Sequence, residues 1–157
     1  MTDDDVVFSI VDPRRAEAQS ALRAYIEEVM GNIAEPSLRV EHAEYVDEYS
    51  PPRGAFVLAA RKGEVVACGA VRPFAGNEEI AEIKRMWVRR DARGVGLGAA
   101  MLAELERIAV AAGYERVRLD TNENLSAAIH MYERAGYVAI ARFNDTPDAT
   151  HFYEKCL

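Results

Sequence analysis

The spacing of apolar and polar residues predicts strands and helices in alternation. "DVVFSIVD" (5–12) is rich in β-branched residues and reads as a strand. Pro13 then suits the first turn of a helix running to about Gly31, with Ala21, Leu22, Tyr25, Ile26 and Val29 on one face. Residues 32–53 have the least regular pattern, with a short helix expected before Pro51-Pro52. "GAFVLAARKGEVVACGAVRPF" (54–74) reads as two strands joined by a tight turn at Lys62-Gly63. "EEIAEIKRMWVRR" (78–90) adds a strand. Strict alternation there puts Ile83, Arg85 and Trp87 on one face and Glu82, Lys84, Met86 and Val88 on the other.

From Leu97 the period changes to helical, with Met101, Leu102, Leu105, Ile108 and Ala109 on one stripe and a stop at Gly113. "ERVRLDT" (115–121) is a strand and "NLSAAIHMYERAGY" (124–137) a short helix ended by Gly136. Two strands, near 137–143 and 150–156, flank the loop "NDTPDA". This order predicts an α/β chain of the mixed-sheet (α+β) kind, about seven strands with helices on both faces. A length of 157 residues fits one domain, 1–157, with a substantial core.

Charge narrows the function classes. The chain carries 26 acidic against 19 basic residues, a net charge of −7, which argues against general nucleic-acid binding. Its positive charge is local, mostly at Lys84, Arg85, Arg89, Arg90 and Arg93. No apolar run approaches the roughly 20 residues of a membrane span. The acidic start "MTDDDVVF" lacks the pattern of a signal peptide. Cys68 and Cys156 show no CxxC or metal-ligand spacing, so reduced thiols, no metal and a cytoplasmic location are expected.

The densest chemical signal is "RRDARGVGLGAAML" (89–102), glycines and arginines immediately ahead of a helix. Glycine lets backbone approach a ligand closely, and a helix N-terminus offers unpaired N–H groups to an anion. "GVGLGA" (94–99) formally satisfies the dinucleotide fingerprint G-x-G-x-x-G/A. That fold needs its glycines directly after an apolar strand, whereas "RRDAR" separates Val88 from Gly94, and too few strands follow. The acid expected about 20 positions on is approximated by Glu115, which begins a strand instead of ending one. A Walker loop is excluded because no Gly-Lys-Ser/Thr occurs.

The spacing Arg93-x-x-Gly96-x-Gly98 after a strand ending in Val88 resembles the R/Q-x-x-G-x-G/A signature of the GNAT superfamily of acyl-CoA-dependent N-acetyltransferases. "EIKRMWV" before it and "NLSAAIHMYERAGY" after it resemble that family's fourth strand and later tyrosine-bearing helix. The tail through "FNDTPDATHFYEK" is similar to a bacterial subgroup, and the likeness covers 54–157 well and 5–53 by element order. The resemblance implies acetyl-CoA as cosubstrate, its pyrophosphate wrapped by Arg93, Gly94, Val95, Gly96, Leu97 and Gly98. Arg89 or Arg90 is implied to reach the 3′-phosphate. It also implies that strand 82–88 splays from 115–121, so that backbone at Met86 and Val88 pairs with the pantetheine arm and polarises the thioester carbonyl. Tyr132, on one helix face with Leu125, Ala128 and Ile129, is implied to be the general acid for the departing thiolate. Asn124 is expected to cap that helix and bond the arm, with Asn122 as the other candidate cap.

A base must take the proton of the incoming ammonium. Glu82 is the candidate, on the same strand face as Met86 and Val88 by alternation. The family's glutamate often lies two residues on, where this chain has Lys84. His130 and His151 are alternatives, and Cys68 reads as inert core. Acids at Glu35, Glu41, Glu44, Asp47, Glu48, Asp145 and Asp148 suggest a cationic amine acceptor. The competing functions are an idle acyl-CoA-binding sensor, which would not need Tyr132, and a small dinucleotide-binding protein. The expected state is monomer or homodimer.

Overall fold

Gly63 (φ +78°) and Lys62 (φ +53°) both occupy left-handed backbone, the geometry of a type I′ hairpin turn, and so join β2 (Ala55–Arg61) to β3 (Glu64–Phe74). The computed structural model describes residues 5–30 and 46–157. The sheet begins at β1 (Val6–Val11), which pairs antiparallel with β2, and β3 continues into β4 (Asn77–Val88). After α2 (Leu97–Ala111) come β5 (Arg116–Thr121), α3 (Ser126–Arg134), a two-residue β6 (Val138–Ala139) and β7 (His151–Cys156). The seven strands lie in the order β1-β2-β3-β4-β5-β7-β6, and β4–β5 is the parallel pair.

Helices cover both faces. One core packs α2 and α3 on the sheet through Met101, Leu102, Leu105, Ile83, Val117 and Leu119. The other packs α1 (Ala16–Tyr25) through Ala18, Ala21 and Leu22 on Phe56, Leu58, Cys68 and Trp87. Cys68 lies fully buried there, where desolvation pushes its thiol up to about 12.

Three local expectations shift. The first helix starts at Ala16 because Pro13 belongs to the preceding turn, its carbonyl accepting from Gln19 Nε2 at 2.7 Å. It gives way after Tyr25 to a π-helical turn, Ile26–Met30. The strand expected near 137–143 shortens to β6, because the Arg142 guanidinium gathers the carbonyls of Asn144, Thr146 and Ala149 and holds this stretch as a loop.

The largest correction lies in β4. Cys68 pairs with Trp87 and Ala70 with Lys84, so two residues of β4 stand opposite the single Gly69. That is a β-bulge, and Arg85 within it adopts φ +60°. Strict alternation fails at this point. Ala81 and Ile83 face α2 and α3, and Met86 and Val88 pack on that same side. Glu82 faces the other way with Lys84, so it does not share a face with Met86 and Val88.

Candidate active site

Parallel pairing between β4 and β5 spans only Ile80–Glu82 against Arg116–Arg118. Beyond it the strands separate, and a cleft of about 950 Å³ opens between them, in the size range of ligand sites. The Arg89 N–H bonds to the Val66 carbonyl of β3 at 2.8 Å. Amide directions alternate along a strand, so those of Met86 and Val88 turn to the open side. The implied backbone ladder therefore has its edge.

The glycine-rich loop leads into α2 at one end of this cleft. Gly94 and Gly96 have φ of +86° and +84°, and a β-carbon on either would meet open space. Conformation, not crowding by protein, explains these two glycines. A β-carbon on Gly98 would meet Met131 Sδ at 3.1 Å, which puts this glycine under packing constraint. An α-helix leaves its first N–H groups without intrahelical partners, here those of Leu97, Gly98 and Ala99, since the first helical bond runs from Ala100 to Gly96. With the positive end of the helix dipole, they form an anion-binding terminus. Val95 is 73% exposed on the loop's outer side. This cradle fits a pyrophosphate.

The arginines divide. Arg93 Nε donates to the Val88 carbonyl at 2.8 Å, and its Nη2 reaches Glu28 Oε2 at 3.2 Å. It thus ties the loop to the end of β4, with its side chain still 45% exposed. Arg89 is engaged by Asp91 at 2.6 Å and Glu64 at 3.2 Å. Arg90 is exposed.

Tyr132 lies buried on α3, edge-on to Tyr137 at 5.8 Å. Its hydroxyl stands 3.8 Å from Met86 Sδ, beside the open edge of β4. Burial pushes its pKa up, and Tyr25 and Asp120 add in the same direction. The hydroxyl keeps its proton, as a general acid must. Neither asparagine caps α3. The helix starts at Ser126 with Leu125 as N-cap, because Asn122 spends its side chain on a turn: Oδ1 accepts from the Asn124 N–H at 2.8 Å and Nδ2 donates to the Asp148 carbonyl at 2.6 Å. Asn124 lines the cleft.

The opposite flank of the cleft is charged. Glu82 is 4% exposed, accepts from Arg72 Nε at 2.9 Å and stands 4.0 Å from Lys84 Nζ. It lies behind the lining of the cleft, which Lys84, Arg85 and Asp120 reach. Lys84 Nζ is 3.7 Å from Asp120 Oδ2, which also accepts from Asn144 Nδ2 at 2.7 Å. Desolvation works against the Lys84 charge, but Asp120 and Glu82 outweigh it and raise the pKa. His130 is exposed at the rim, and His151 bonds Thr150 Oγ1 at 2.9 Å. Of the acids expected to attract a cation, Glu35, Glu41 and Glu44 lie outside the described residues. Asp47 pairs with Arg14, Glu48 stands 3.9 Å from Arg72, Asp145 is exposed, and Asp148 lines the cleft. Asp120 and Arg85 were not among the sequence-derived site residues. Asp120 could have been found from the alternation of "RVRLDT", but a left-handed arginine inside a strand leaves no sequence signal.

Among the described residues no group of three or more His, Cys, Asp or Glu could hold a metal ion, and no helix is long and apolar enough to cross a membrane.

Comparison with known proteins agrees with the geometry. Residues 20–137 match the Acetyltransferase (GNAT) family. An uncharacterised N-acetyltransferase of Schizosaccharomyces pombe is 28% identical over 127 residues, 80% of this chain and 77% of that one. The N-acetylaspartate synthetase of Xenopus tropicalis is 30% identical over 132 residues, 81% of this chain but 48% of that one. A GNAT-family acetyltransferase from Staphylococcus aureus superimposes with a TM-score of 0.79 at 17% identity, covering 96% of this chain and 99% of that one, and so shares the fold. Acetyltransferases of this fold use acetyl-CoA as cosubstrate and amines as acceptors. The splayed strands, the glycine cradle and the sequence match converge on one assignment: this chain is an acyltransferase of the GNAT family.

Proposed function

We propose that residues 1–157 act as one domain that moves an acetyl group from acetyl-CoA to a primary amine by direct attack. The observation that carries this reading is the buried, protonated Tyr132 facing the open edge of β4 at Met86. The loop 93–98 and the N-terminus of α2 hold the pyrophosphate, Asn124 and the backbone of Met86 and Val88 receive the pantetheine arm, and the Val88 N–H polarises the thioester carbonyl. The acceptor nitrogen bonds to the carbonyl carbon, the C–S bond breaks, and Tyr132 protonates the sulfur. The proton lost by the nitrogen passes to a carboxylate on the charged flank. Glu82 is the one expected from sequence, but it acts from behind Lys84, whereas Asp120 lines the cleft and is the better-placed acceptor of that proton. The acceptor arrives as an ammonium, a cation for which Asp120 and Asp148 supply negative potential.

An idle acyl-CoA sensor would bind the cofactor without needing Tyr132. Two measurements separate the readings. Acetyl-CoA should stabilise the protein by about 2.7 kcal/mol at one hundred times its Kd, with NAD and ATP giving much smaller shifts. Thiol release from acetyl-CoA across a panel of amines should then reveal at least one acceptor. A thermal shift with NAD equal to that with acetyl-CoA overturns the cofactor. Full stabilisation without any acceptor-dependent thiol release favours the sensor.

A further inference from the structure

The charged flank of the cleft is not built for an amine alone. The bulge in β4 is the origin of its composition. In a regular strand Arg85 would share the Ile83 face and enter the apolar core under α2 and α3. One extra residue opposite Gly69 turns it the other way, with its guanidinium carbon 5.6 Å from the centre of the Tyr25 ring. Lys84 and Arg85, adjacent in sequence, thereby end on the same flank and both line the cleft.

This arrangement is costly. A non-glycine residue at φ +60° is held in a sparsely populated conformation, and such strain persists only where the surroundings impose it, commonly at functional sites. Two neighbouring cations are also buried, Arg85 at 5% exposure and Lys84 with a side chain at 10%. Each disfavours the charge of the other; at Lys84 desolvation and Arg85 both act to lower the pKa, and it is raised because Asp120 and Glu82 outweigh them. Their shared field, with that of Arg72, extends to the hydroxyl of Tyr49. That group is fully buried and finds no hydrogen-bond partner among the described residues; burial holds its pKa above the ordinary tyrosine value, and the three cations act the other way without overcoming it.

Opposite charge lies alongside. Asp120 lines the cleft, with its Oδ2 3.7 Å from Lys84 Nζ and accepting from Asn144 Nδ2. The lining of this wall therefore carries one anion, Asp120, and two cations, Lys84 and Arg85, with Glu82 behind Lys84. That is the charge pattern that complements a molecule carrying an ammonium and a carboxylate on neighbouring carbons.

Resting on the acetyl-transfer reading above, we infer that the acceptor is an amino acid, α or β, whose carboxylate is held by Lys84 and Arg85 while its ammonium meets Asp120. The amine then lies toward the gap between β4 and β5, on the path to Tyr132, and the carboxylate away from it. Arg85 is a specificity residue in this scheme, with no part in the proton transfers.

The test pairs each of a set of α- and β-amino acids with the amine lacking only its carboxylate. Thiol release from acetyl-CoA is measured for both members. At least one amino acid should exceed its partner amine by about tenfold or more in kcat/KM, the usual scale for hydrogen bonds to a charged group. Arg85→Gln should remove that preference by raising KM for the amino acid, with circular dichroism and the acetyl-CoA thermal shift unchanged. A readout independent of turnover uses the CoA-saturated wild-type protein, whose melting temperature the preferred amino acid should raise and its partner amine should not. That comparison also stands if Arg85→Gln fails to fold. Amines equal to or better than their amino acids, or a preference that survives in a folded Arg85→Gln, overturns the inference alone. Absence of thiol release with either member of every pair counts instead against acetyl transfer itself.

Discussion

The two flanks of β4 are built on opposite principles, although they are formed by the same twelve residues. On one side Ala81, Ile83, Met86 and Val88 join an apolar core with α2 and α3, from which Tyr132 brings its hydroxyl to the cleft. On the other, Glu82, Lys84 and Arg85 meet Arg72, Asp120 and Tyr49 in a buried network of charge. The apolar flank is an environment that keeps a phenol neutral. The charged flank is the one proposed to orient an ionic acceptor. A transferase that must handle a neutral thioester and an ionised amine in one cleft has use for both, and a single bulge separates them.

Four predictions sharpen that contrast. The largest effect belongs to the loop. Gly96→Asp should abolish measurable acetyl-CoA binding by calorimetry while circular dichroism stays native, since aspartate tolerates left-handed backbone and its β-carbon meets open space. Its carboxylate would sit where a pyrophosphate is proposed to lie. Retained affinity in a folded variant would remove the loop from the site.

Next comes the apolar flank. Tyr132→Phe deletes a hydroxyl and little volume, so turnover should fall roughly 10²-fold, the usual scale of acid–base assistance, with acetyl-CoA affinity unchanged. Equal turnover would make Tyr132 a packing residue.

The charged flank should respond in stability. Glu82→Gln leaves Arg72 and Lys84 facing a neutral amide, and breaking a buried pair of this kind costs about 3–5 kcal/mol. Thermal melting should show a loss of several degrees or more. A variant that melts like wild type but loses turnover would instead restore Glu82 as the base.

The smallest effect is in alkaline stability. Both Tyr132 and Lys84 have folded pKa values raised above their ordinary 10.0 and 10.5. A raised value favours the protonated folded form, so each contribution is complete below the ordinary value and is lost as pH climbs through the folded one. Unfolding free energy measured by denaturant titration should therefore fall above about pH 10, and less steeply in Tyr132→Phe. Identical slopes in the two proteins would mean that Tyr132 is not held neutral by its surroundings.

The element order, the hairpin turn at Lys62-Gly63 and the loop 93–98 were all legible from sequence, because each rests on local chemistry. Period-2 and period-3.6 patterns mark the faces of strands and helices, and glycine marks backbone that other residues resist. Tyr132 was legible too, since helical spacing alone aims it at the sheet. Asn124 was misread as a cap because the cap of α3 depends on Asn122 being drawn to the Asp148 carbonyl, 26 residues away. Glu82 was placed on the wrong flank for a similar reason. Its orientation relative to Met86 turns on a bulge fixed by the register of β3, which no residue within β4 announces.

Sequence by itself thus determined the strands, the helices, the glycine-rich turn ahead of α2 and the inward-facing position of Tyr132, features whose causes lie within a few residues of where they act. Tertiary structure alone decided where β4 and β5 part, that Arg85 turns beside Lys84, and that Asp120 stands opposite them. Those outcomes depend on strand register and on the pairing of buried charges across the sheet, where the competing energies are set by partners far apart in the chain.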